Sequence, residues 1–247
     1  MHSALALGAP PALATLLTGE GIALFLDFDG TLVELAPGPN TISPMTKFAS
    51  RCANLADRLE GRCALVSGRS IDDIERHVGP LNMAIAGSHG SDIRSANGAS
   101  LGDGACPLPA EIETALRNFA AERDVDYEHK PHGGALHYRR NPSQGASAEA
   151  FARNLAQKHG WKAQSGKCVI EIVAGKSDKG SAVHTFMASS VFKGARPFFI
   201  GDDLTDEAGF AACRELGGAG VLVGTREETV AHYRLPDVSS VHTWLEI

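Results

Sequence analysis

An uninterrupted apolar run that ends in two acids constrains the fold of this chain more than any other stretch. Residues Ile22–Leu26 are apolar without alternation, and Asp27, Asp29 and Gly30 follow directly. Such a run predicts a strand buried on both faces, as in a parallel sheet, where ligand sites lie at the carboxyl ends of the strands. A period of two points Asp27 and Asp29 to the same side of the chain. The alternative for this motif alone is a solvated Asp-Gly turn.

Alternating strands and helices predict an open parallel sheet around that first strand. Further strands are predicted at 63–66, 82–86, 197–200 and 220–223, with helices at 11–18, 44–59, 71–78, 178–188 and 241–245. This alternation is typical of an α/β fold with a Rossmann-like parallel-sheet core. We expect Pro44 in the first turn of its helix, Ser177 as an N-cap, and Thr205 as the cap of a helix that begins at residue 206.

The pattern changes between residues 100 and 173, where a helix followed by two strands occurs twice. The first unit is helix 108–121 with strands 126–130 and 136–139 around a turn at 131–134; the second is helix 147–159 with strands 161–164 and 168–173 around a turn at 165–166. Such units build an antiparallel sheet with both helices on one face. We therefore predict a core of residues 1–99 and 174–247 and an inserted α+β cap of residues 100–173.

Composition and charge exclude several classes of protein. The 247 residues carry a formal net charge of −6, so there is no basic excess to neutralise a nucleic-acid backbone. Residues 1–17 contain no Lys or Arg and are interrupted by Pro10 and Pro11, which predicts neither a signal peptide nor a membrane span. The five cysteines form no C-x-x-C pair, which indicates reduced thiols and a cytoplasmic protein.

Polar side chains follow four of the predicted core strands and should meet in one site. They are Asp27 with Asp29, Ser67, His89, and Asp202 with Asp203, and Asp206 lies one turn further on. Carboxylates this close together cannot all stay ionised without a cation. Because Mg²⁺ prefers carboxylate, carbonyl and water oxygens and bridges to phosphate, we predict a Mg²⁺ cofactor. Asp27, Asp29 and Asp202 are its predicted ligands, with Asp203 and Asp206 in support.

With an ion and a phosphate in place, these residues predict phosphoryl transfer. Asp27 can attack phosphorus and form an aspartyl-phosphate, while Asp29 protonates the leaving oxygen and then takes a proton from water. Lys179 would offset the charge of a loose transition state together with the ion. Gly30 lets backbone N–H groups approach phosphate oxygens, and Ser67 offers its hydroxyl. For each motif considered alone there is an alternative: Ser67-Gly68 could form an ordinary turn, and Lys179 could be a solvated helix lysine.

The motifs, in order, resemble those of the haloacid dehalogenase-like phosphatase superfamily. They are Asp27-Phe-Asp-Gly-Thr-Leu, Ser67-Gly-Arg, Lys179-Gly and Gly201-Asp-Asp-Leu-Thr-Asp-Glu, within residues 22–210. The resemblance implies that the first Asp is the nucleophile and the second the acid and base. It also implies a cap inserted between the second and third motifs.

Within that superfamily the sequence is similar to the trehalose-6-phosphate phosphatases. The additional motifs that support this similarity are Gly87-Ser-His-Gly90, Glu128-His-Lys130, His137-Tyr-Arg139 and Cys168-Val-Ile-Glu171. The resemblance implies that Lys130, Arg139 and Glu171 bind sugar hydroxyls, although surface salt bridges are the alternative. Further substrate-binding residues it implies are Gly30, Thr31, Gly68, Arg69 and His89. Asp92 stands where that family usually has Glu.

The sequence thus predicts a Mg²⁺-dependent phosphatase that hydrolyses trehalose 6-phosphate to trehalose and phosphate, in trehalose biosynthesis. The alternatives are a phosphatase for another sugar phosphate and a non-catalytic sugar-phosphate sensor. The expected partner is the small-molecule substrate, with a trehalose-phosphate synthase as a candidate protein partner. We expect a monomer that binds neither nucleic acid nor membrane.

Overall fold

The computed structural model describes residues 7–19, 21–34, 47–102, 107–130, 133–166, 168–173 and 177–247. The chain divides into two units, which we call unit 1 (Met1–Gly102 and Asp178–Ile247) and unit 2 (Asp103–Ser177). The sequence-based domain boundaries, after residues 99 and 173, stay predictions. No helix within the described ranges combines the length and apolar character needed to cross a membrane.

The described residues form eleven strands and eight α-helices. The strands are β1 (Ile22–Leu26), β2 (Cys63–Val66), β3 (Ala84–Gly87), β4 (Asp92–Arg94), β5 (Asp126–Lys130), β6 (Gly133–His137), β7 (Lys162–Gly166), β8 (Val169–Val173), β9 (Arg196–Gly201), β10 (Ala219–Val223) and β11 (Tyr233–Leu235). The helices are α1 (Leu13–Leu17), α2 (Phe48–Arg58), α3 (Ile71–Val78), α4 (Ala110–Arg123), α5 (Gly145–His159), α6 (Lys179–Ala188), α7 (Glu207–Glu215) and α8 (Val238–Leu245).

Unit 1 is built on a seven-stranded sheet with β1 at its centre. The strand order is β11-β10-β9-β1-β2-β3-β4, and every pairing is parallel except that of β3 with β4. Leu24 and Leu26 of β1 pack into the core on one face of the sheet, and Ala23 and Phe25 pack into the core on the other. Burial on both faces explains why the strand is apolar without alternation. The predicted α/β Rossmann-like core is confirmed.

Unit 2 contains a four-stranded antiparallel sheet in the order β5-β6-β8-β7. Helices α4 and α5 share one apolar cluster with a single set of sheet residues, Leu136, Ile170 and Ile172. Phe119 of α4 stacks on Phe151 of α5 with ring centroids 4.3 Å apart. The alternate residues of the same strands point to the opposite face, because successive side chains of a strand alternate. One face of this sheet is therefore free of the two helices.

Several predicted element ends were wrong, each for a local physical reason. The N-cap of α6 is Asp178 and not Ser177, because the Asp178 carboxylate accepts the N–H of Ser181 at 2.8 Å in a capping box. Thr205 caps no helix: Asp203 accepts its N–H at 2.7 Å, and a 3₁₀ turn at Leu204–Asp206 precedes α7. The predicted place of Pro44 lies outside the described residues.

The predicted turns of unit 2 were also partly wrong. Gly133 and Gly134 belong to β6, and Ser165 and Gly166 belong to β7. A Cβ built on Gly133 would stand 2.2 Å from the carbonyl oxygen of Ile172, so this glycine serves close strand pairing rather than a turn. The edge strands β4 and β11 were missed because each has only three residues and no apolar run.

Candidate active site

The loops after β1 and β9 meet at the carboxyl end of the unit 1 sheet. Asp27 follows β1 directly, is 4% exposed, and donates its N–H to the Ile200 carbonyl of β9 at 2.9 Å. A Cβ built on Gly30 would stand 2.2 Å from Oδ2 of Asp202, and Gly30 has a φ of +79°. Only glycine accepts both the left-handed backbone and this close approach. The sequence therefore brings Asp27 and Asp202 to the same site.

Lys179 is buried between two carboxylates. Its Nζ donates to Oδ1 of Asp27 and to Oδ1 of Asp206, each at 2.6 Å, and none of the three side chains is more than 5% exposed. The capping box of Asp178 fixes the first turn of α6, where Lys179 is the first residue. A buried ammonium with two buried carboxylates is a satisfied arrangement. The alternative of a solvated helix lysine is excluded.

Three carboxylates of unit 1 could hold a metal ion. Oxygens of Asp27, Asp202 and Asp206 all lie within 4.8 Å of one another. Buried Oδ1 of Asp202 has no hydrogen-bond partner among the described residues. Three acids against the one ammonium of Lys179 leave a formal charge of −2. The set fits a hard divalent cation that prefers oxygen ligands.

The pKa values of Asp27, Asp202 and Asp206 are all raised above the ordinary value of an Asp. Burial raises the pKa of Asp27 to about 6, against the opposing effect of Lys179. Burial, and then repulsion by Asp206 and Asp203, raises the pKa of Asp202 to about 6. Burial and the charge of Asp27 also hold the pKa of Asp206 well above its usual range. Burial alone would lower the pKa of Lys179, but Asp27 and Asp206 outweigh it and the net shift is upward.

Asp203 differs from Asp202 both in its hydrogen bonds and in the direction of its pKa shift. Its carboxylate accepts the N–H of Thr205 at 2.7 Å and of Asp206 at 3.3 Å. Burial opposes ionisation, but Lys179 and these hydrogen bonds leave the pKa of Asp203 below its ordinary value. Asp203 therefore shapes the turn that returns Asp206 to the site.

The carboxylate of Asp29 lies with an arginine and outside the group of Asp27, Asp202 and Asp206. Arg69 donates Nε–H to Oδ2 of Asp29 at 2.6 Å and Nη2–H to Oδ1 at 2.7 Å. The period-two argument assumed that the strand continues to Asp29, but β1 ends at Leu26 and the chain turns at Gly30. Asp206, expected in support, completes the group with Asp27 and Asp202, while the role of Asp29 as a metal ligand stays a prediction.

Hydroxyl and imidazole groups line the adjoining turns of unit 1. Ser67 is 1% exposed, and its Oγ accepts the N–H of Arg69 at 3.1 Å. Oγ1 of Thr31 is buried and has no hydrogen-bond partner in the described part of the chain. A Cβ built on Gly68 would stand 2.5 Å from Cε1 of His89, so the imidazole lies directly against that glycine. The structure thus brings Ser67, Gly68 and His89 together.

The remaining predicted residues belong mainly to unit 2. Lys130 and Glu171 form an ion pair, and each side chain is 16% exposed. In the sheet register Glu171 is opposite Ala135, between the positions of Ile170 and Ile172. Glu171 therefore lies on the sheet face that the helices leave free, as does Lys130 by the same alternation. Arg139 is exposed just after β6.

Two ion pairs of unit 1 escaped the sequence analysis. Asp73 of α3 accepts the Nη1–H of Arg69 at 2.8 Å, and no motif includes it. Asp92, the departure from the family pattern, pairs with Arg94 at 2.7 Å in unit 1. An acid in the first turn of a helix is common, so only the pairing with Arg69 distinguishes Asp73.

Comparison with known proteins identifies the family of the chain. A family model described as trehalose-phosphatase matches residues 25–239. The trehalose-6-phosphate phosphatase of Escherichia coli K12 is 36% identical over 231 residues, which are 91% of this chain and 85% of that protein.

Solved structures share the fold. The C-terminal domain of a Candida albicans trehalose-6-phosphate phosphatase matches with a TM-score of 0.71 and 20% identity, covering 99% of this chain and 100% of that one. A Bacteroides thetaiotaomicron phosphatase of the haloalkanoate (HAD) superfamily matches with a TM-score of 0.61 and 15% identity, covering 90% and 92%. A trehalose-phosphatase is a phosphomonoester hydrolase, so the predicted enzyme class is confirmed. The chain belongs to the trehalose-phosphatase family.

Proposed function

We propose that the protein hydrolyses trehalose 6-phosphate to trehalose and inorganic phosphate in a Mg²⁺-dependent reaction through a phosphorylated Asp27. The observation that carries the proposal is the buried Asp27 held by Lys179 beside two further acids. This arrangement occurs in a chain that is 36% identical to a trehalose-6-phosphate phosphatase over most of its length.

Asp27, Asp202 and Asp206 are the residues that would hold the magnesium ion. The oxygen of Asp202 that has no hydrogen-bond partner among the described residues, and the formal charge of −2, support this assignment. A bound divalent ion would supply positive charge against the phosphate oxygens. Asp203 and Lys179 hold the surrounding acids in place.

The covalent chemistry belongs to Asp27 and Asp29. Lys179 holds Oδ1 of Asp27, so Oδ2 attacks phosphorus as the phosphorus–oxygen bond to the sugar breaks. Asp29 enters this step protonated on one oxygen while its other oxygen still accepts from Arg69, and it gives that proton to the departing sugar oxygen. It then takes a proton from the water that attacks phosphorus, which releases phosphate and restores Asp27.

Neighbouring groups of unit 1 would receive the phosphate. The hydroxyls of Ser67 and Thr31 are buried there, and Oγ1 of Thr31 has no hydrogen-bond partner within the described ranges. Gly30 and Gly68 leave backbone open to a phosphate oxygen, while His89 lies against Gly68. Asp29 and Asp73 hold the guanidinium of Arg69, so a direct contact of Arg69 with the substrate stays a prediction.

The sugar would be recognised by polar side chains of unit 2. Lys130 and Glu171 lie on the helix-free face of its sheet, and Arg139 is exposed beside it. Hydroxyl-rich sugars bind to such charged donors and acceptors. A monomeric state, a cytoplasmic location and association with a trehalose-phosphate synthase also stay predictions.

Phosphate release from a panel of sugar phosphates tests the proposal. We expect rapid release from trehalose 6-phosphate with Mg²⁺, little from glucose 6-phosphate, and none after EDTA treatment until Mg²⁺ is restored. Equal rates on both sugars would replace the substrate with sugar phosphates in general. Binding without release from any of them would instead indicate a sensor, and undiminished release in EDTA would remove the metal requirement.

A further inference from the structure

The guanidinium of Arg69 is fixed by two acids from different parts of unit 1. Nε–H and Nη2–H point to the two oxygens of Asp29, at 2.6 and 2.7 Å, and Nη1–H points to Oδ2 of Asp73 at 2.8 Å. The Phe28 ring lies 5.8 Å from the centre of the guanidinium. Because this group is planar and rigid, satisfying three N–H directions determines its orientation completely.

Asp73 is itself held in place by the start of α3. It is the third residue of that helix, and its N–H donates to the Oγ of Ser70, the N-cap, at 3.2 Å. Its second oxygen accepts from Arg76 at 3.0 Å, although Arg76 is 70% exposed. A carboxylate in the first helical turn is also favoured by the helix dipole. The position of Asp73 is therefore fixed by its helix, whereas Asp29 lies just before the turn at Gly30.

Under the proposed function, Asp29 must deliver its proton to one particular oxygen. General acid catalysis requires the acid within hydrogen-bond reach of the leaving group, and small displacements cost much of the rate. Among the described residues, Arg69 is the side chain that donates hydrogen bonds to the carboxylate of Asp29. The direction of Asp29 thus depends on the direction of Arg69.

We propose that Asp73 is a positioning residue for acid catalysis: it orients Arg69, and Arg69 orients Asp29. This inference rests on the proposed function, and it adds a residue outside the sequence motifs. If Asp73 acts in this way, only a reaction whose leaving group needs a proton should depend on it. The alkoxide that leaves a sugar phosphate needs one, whereas p-nitrophenolate is stable without it.

The test compares kcat/KM of Asp73→Asn on trehalose 6-phosphate and on p-nitrophenyl phosphate. The value of kcat/KM reports the steps up to departure of the leaving group. It therefore does not depend on the later hydrolysis of the aspartyl-phosphate, which is common to both substrates. We expect a loss of about 10-fold or more on the sugar phosphate and less than about 2-fold on the aryl phosphate. Asp72→Asn, an exposed acid in the same helical turn, should change neither.

A second variant separates positioning from damage to the fold. Arg69→Lys cannot contact both acids with the same rigid geometry, so adding Asp73→Asn to it should cost little more on the sugar phosphate. Equal losses on both substrates, full additivity, or no loss on trehalose 6-phosphate would each overturn the proposal. If the unmodified protein hydrolyses p-nitrophenyl phosphate but not trehalose 6-phosphate, the proposed substrate fails. The Asp73 test then uses whichever alkyl phosphate the protein hydrolyses.

Discussion

The two units of the protein handle charge in opposite ways. In unit 1, Lys179 and its acids Asp27 and Asp206 are at most 5% exposed. In unit 2, Lys130 and Glu171 are each 16% exposed on one face of a sheet. Since removing an ion from water costs several kcal/mol unless it is paired, the first set depends on every member. The second set can change at lower cost. Under the proposed function, reaction chemistry and substrate choice could therefore vary independently.

The helices that support these two sets of charged residues differ in how their N-termini are capped. Helix α6, which carries Lys179, begins with a complete capping box at Asp178. Helices α4 and α5, which support the sheet of unit 2, have no side-chain hydrogen bond at their N-caps within the ranges described. A side-chain cap contributes about 1 kcal/mol and fixes the direction of the first turn. The first turn of α6, which carries the buried Lys179, is therefore more rigidly held than the first turns of α4 and α5.

The strongest way to test the unit 1 set is Asp27→Asn. The amide cannot act as the nucleophile, so we expect kcat on trehalose 6-phosphate to fall by about 10⁴-fold or more. The change removes one buried acid but keeps the shape of the side chain, so the protein should stay folded. Phosphate release and circular dichroism measure the two properties. A folded variant with normal turnover would show that another residue is the nucleophile.

A matched pair of lysine substitutions compares the units directly. Lys179→Met leaves Asp27 and Asp206 buried together without their cation, and we expect a loss of about 3–5 kcal/mol in the free energy of unfolding. Lys130→Met should cost only about 1 kcal/mol.

The two lysine variants should also differ in which substrates they still hydrolyse. Lys130→Met should lower kcat/KM for trehalose 6-phosphate by roughly 10- to 100-fold while sparing p-nitrophenyl phosphate, because the lost contact is to the sugar. Lys179→Met should reduce both activities. Thermal unfolding and the two assays check these outcomes, and equal destabilisation by the two variants would contradict the contrast between the units.

Asp202→Asn separates stability from metal binding within unit 1. Without Mg²⁺ the substitution removes an acid that Asp206 and Asp203 repel. We therefore expect a gain of about 1 kcal/mol, or about 2–4 °C in Tm. The unmodified protein should gain about 2.7 kcal/mol from Mg²⁺ at a hundred times its Kd, and the variant should gain much less. Calorimetry with and without Mg²⁺ decides; an undiminished Mg²⁺ effect would exclude Asp202 as a ligand.

The smallest effect is expected for an exposed pair of unit 2. Arg140 and Asp126 lie 2.6 Å apart with side chains 68% and 51% exposed. Asp126→Asn should change the free energy of unfolding by no more than about 0.5 kcal/mol, because water and salt screen such pairs. Chemical denaturation at low and high salt measures it. A change as large as that of Lys179→Met would mean that exposure does not explain the contrast.

The parts predicted from the sequence are those governed by local pattern. The apolar run of β1 predicted a fully buried central strand, and the residues after β1 and β9 predicted converging acids. The motif order identified the family, which the comparisons confirm. Each of these conclusions depends on residues that lie close together along the chain or at strand ends, where topology is simple.

The parts that were missed depend on turns and distant partners. The direction of the Asp29 carboxylate follows from the turn at Gly30 and from Arg69, which is 40 positions away along the chain. The 3₁₀ turn at Leu204–Asp206 was missed because the pattern of α7 does not reveal it, although Asp206 itself was predicted near the site. The three-residue edge strands β4 and β11 take their structure from sheet neighbours rather than from their own residues.

The double ion pair of Lys179 bears on how the protein would acquire the metal ion proposed for Asp27, Asp202 and Asp206. Because the ammonium already offsets part of the negative charge of Asp27 and Asp206, the polypeptide can complete its structure before any ion arrives. Folding and metal binding would then be separate events, and the proposed magnesium ion could exchange with the surrounding pool without unfolding the chain. A supply of free ion, rather than synthesis of new protein, would then set how much of the enzyme is active.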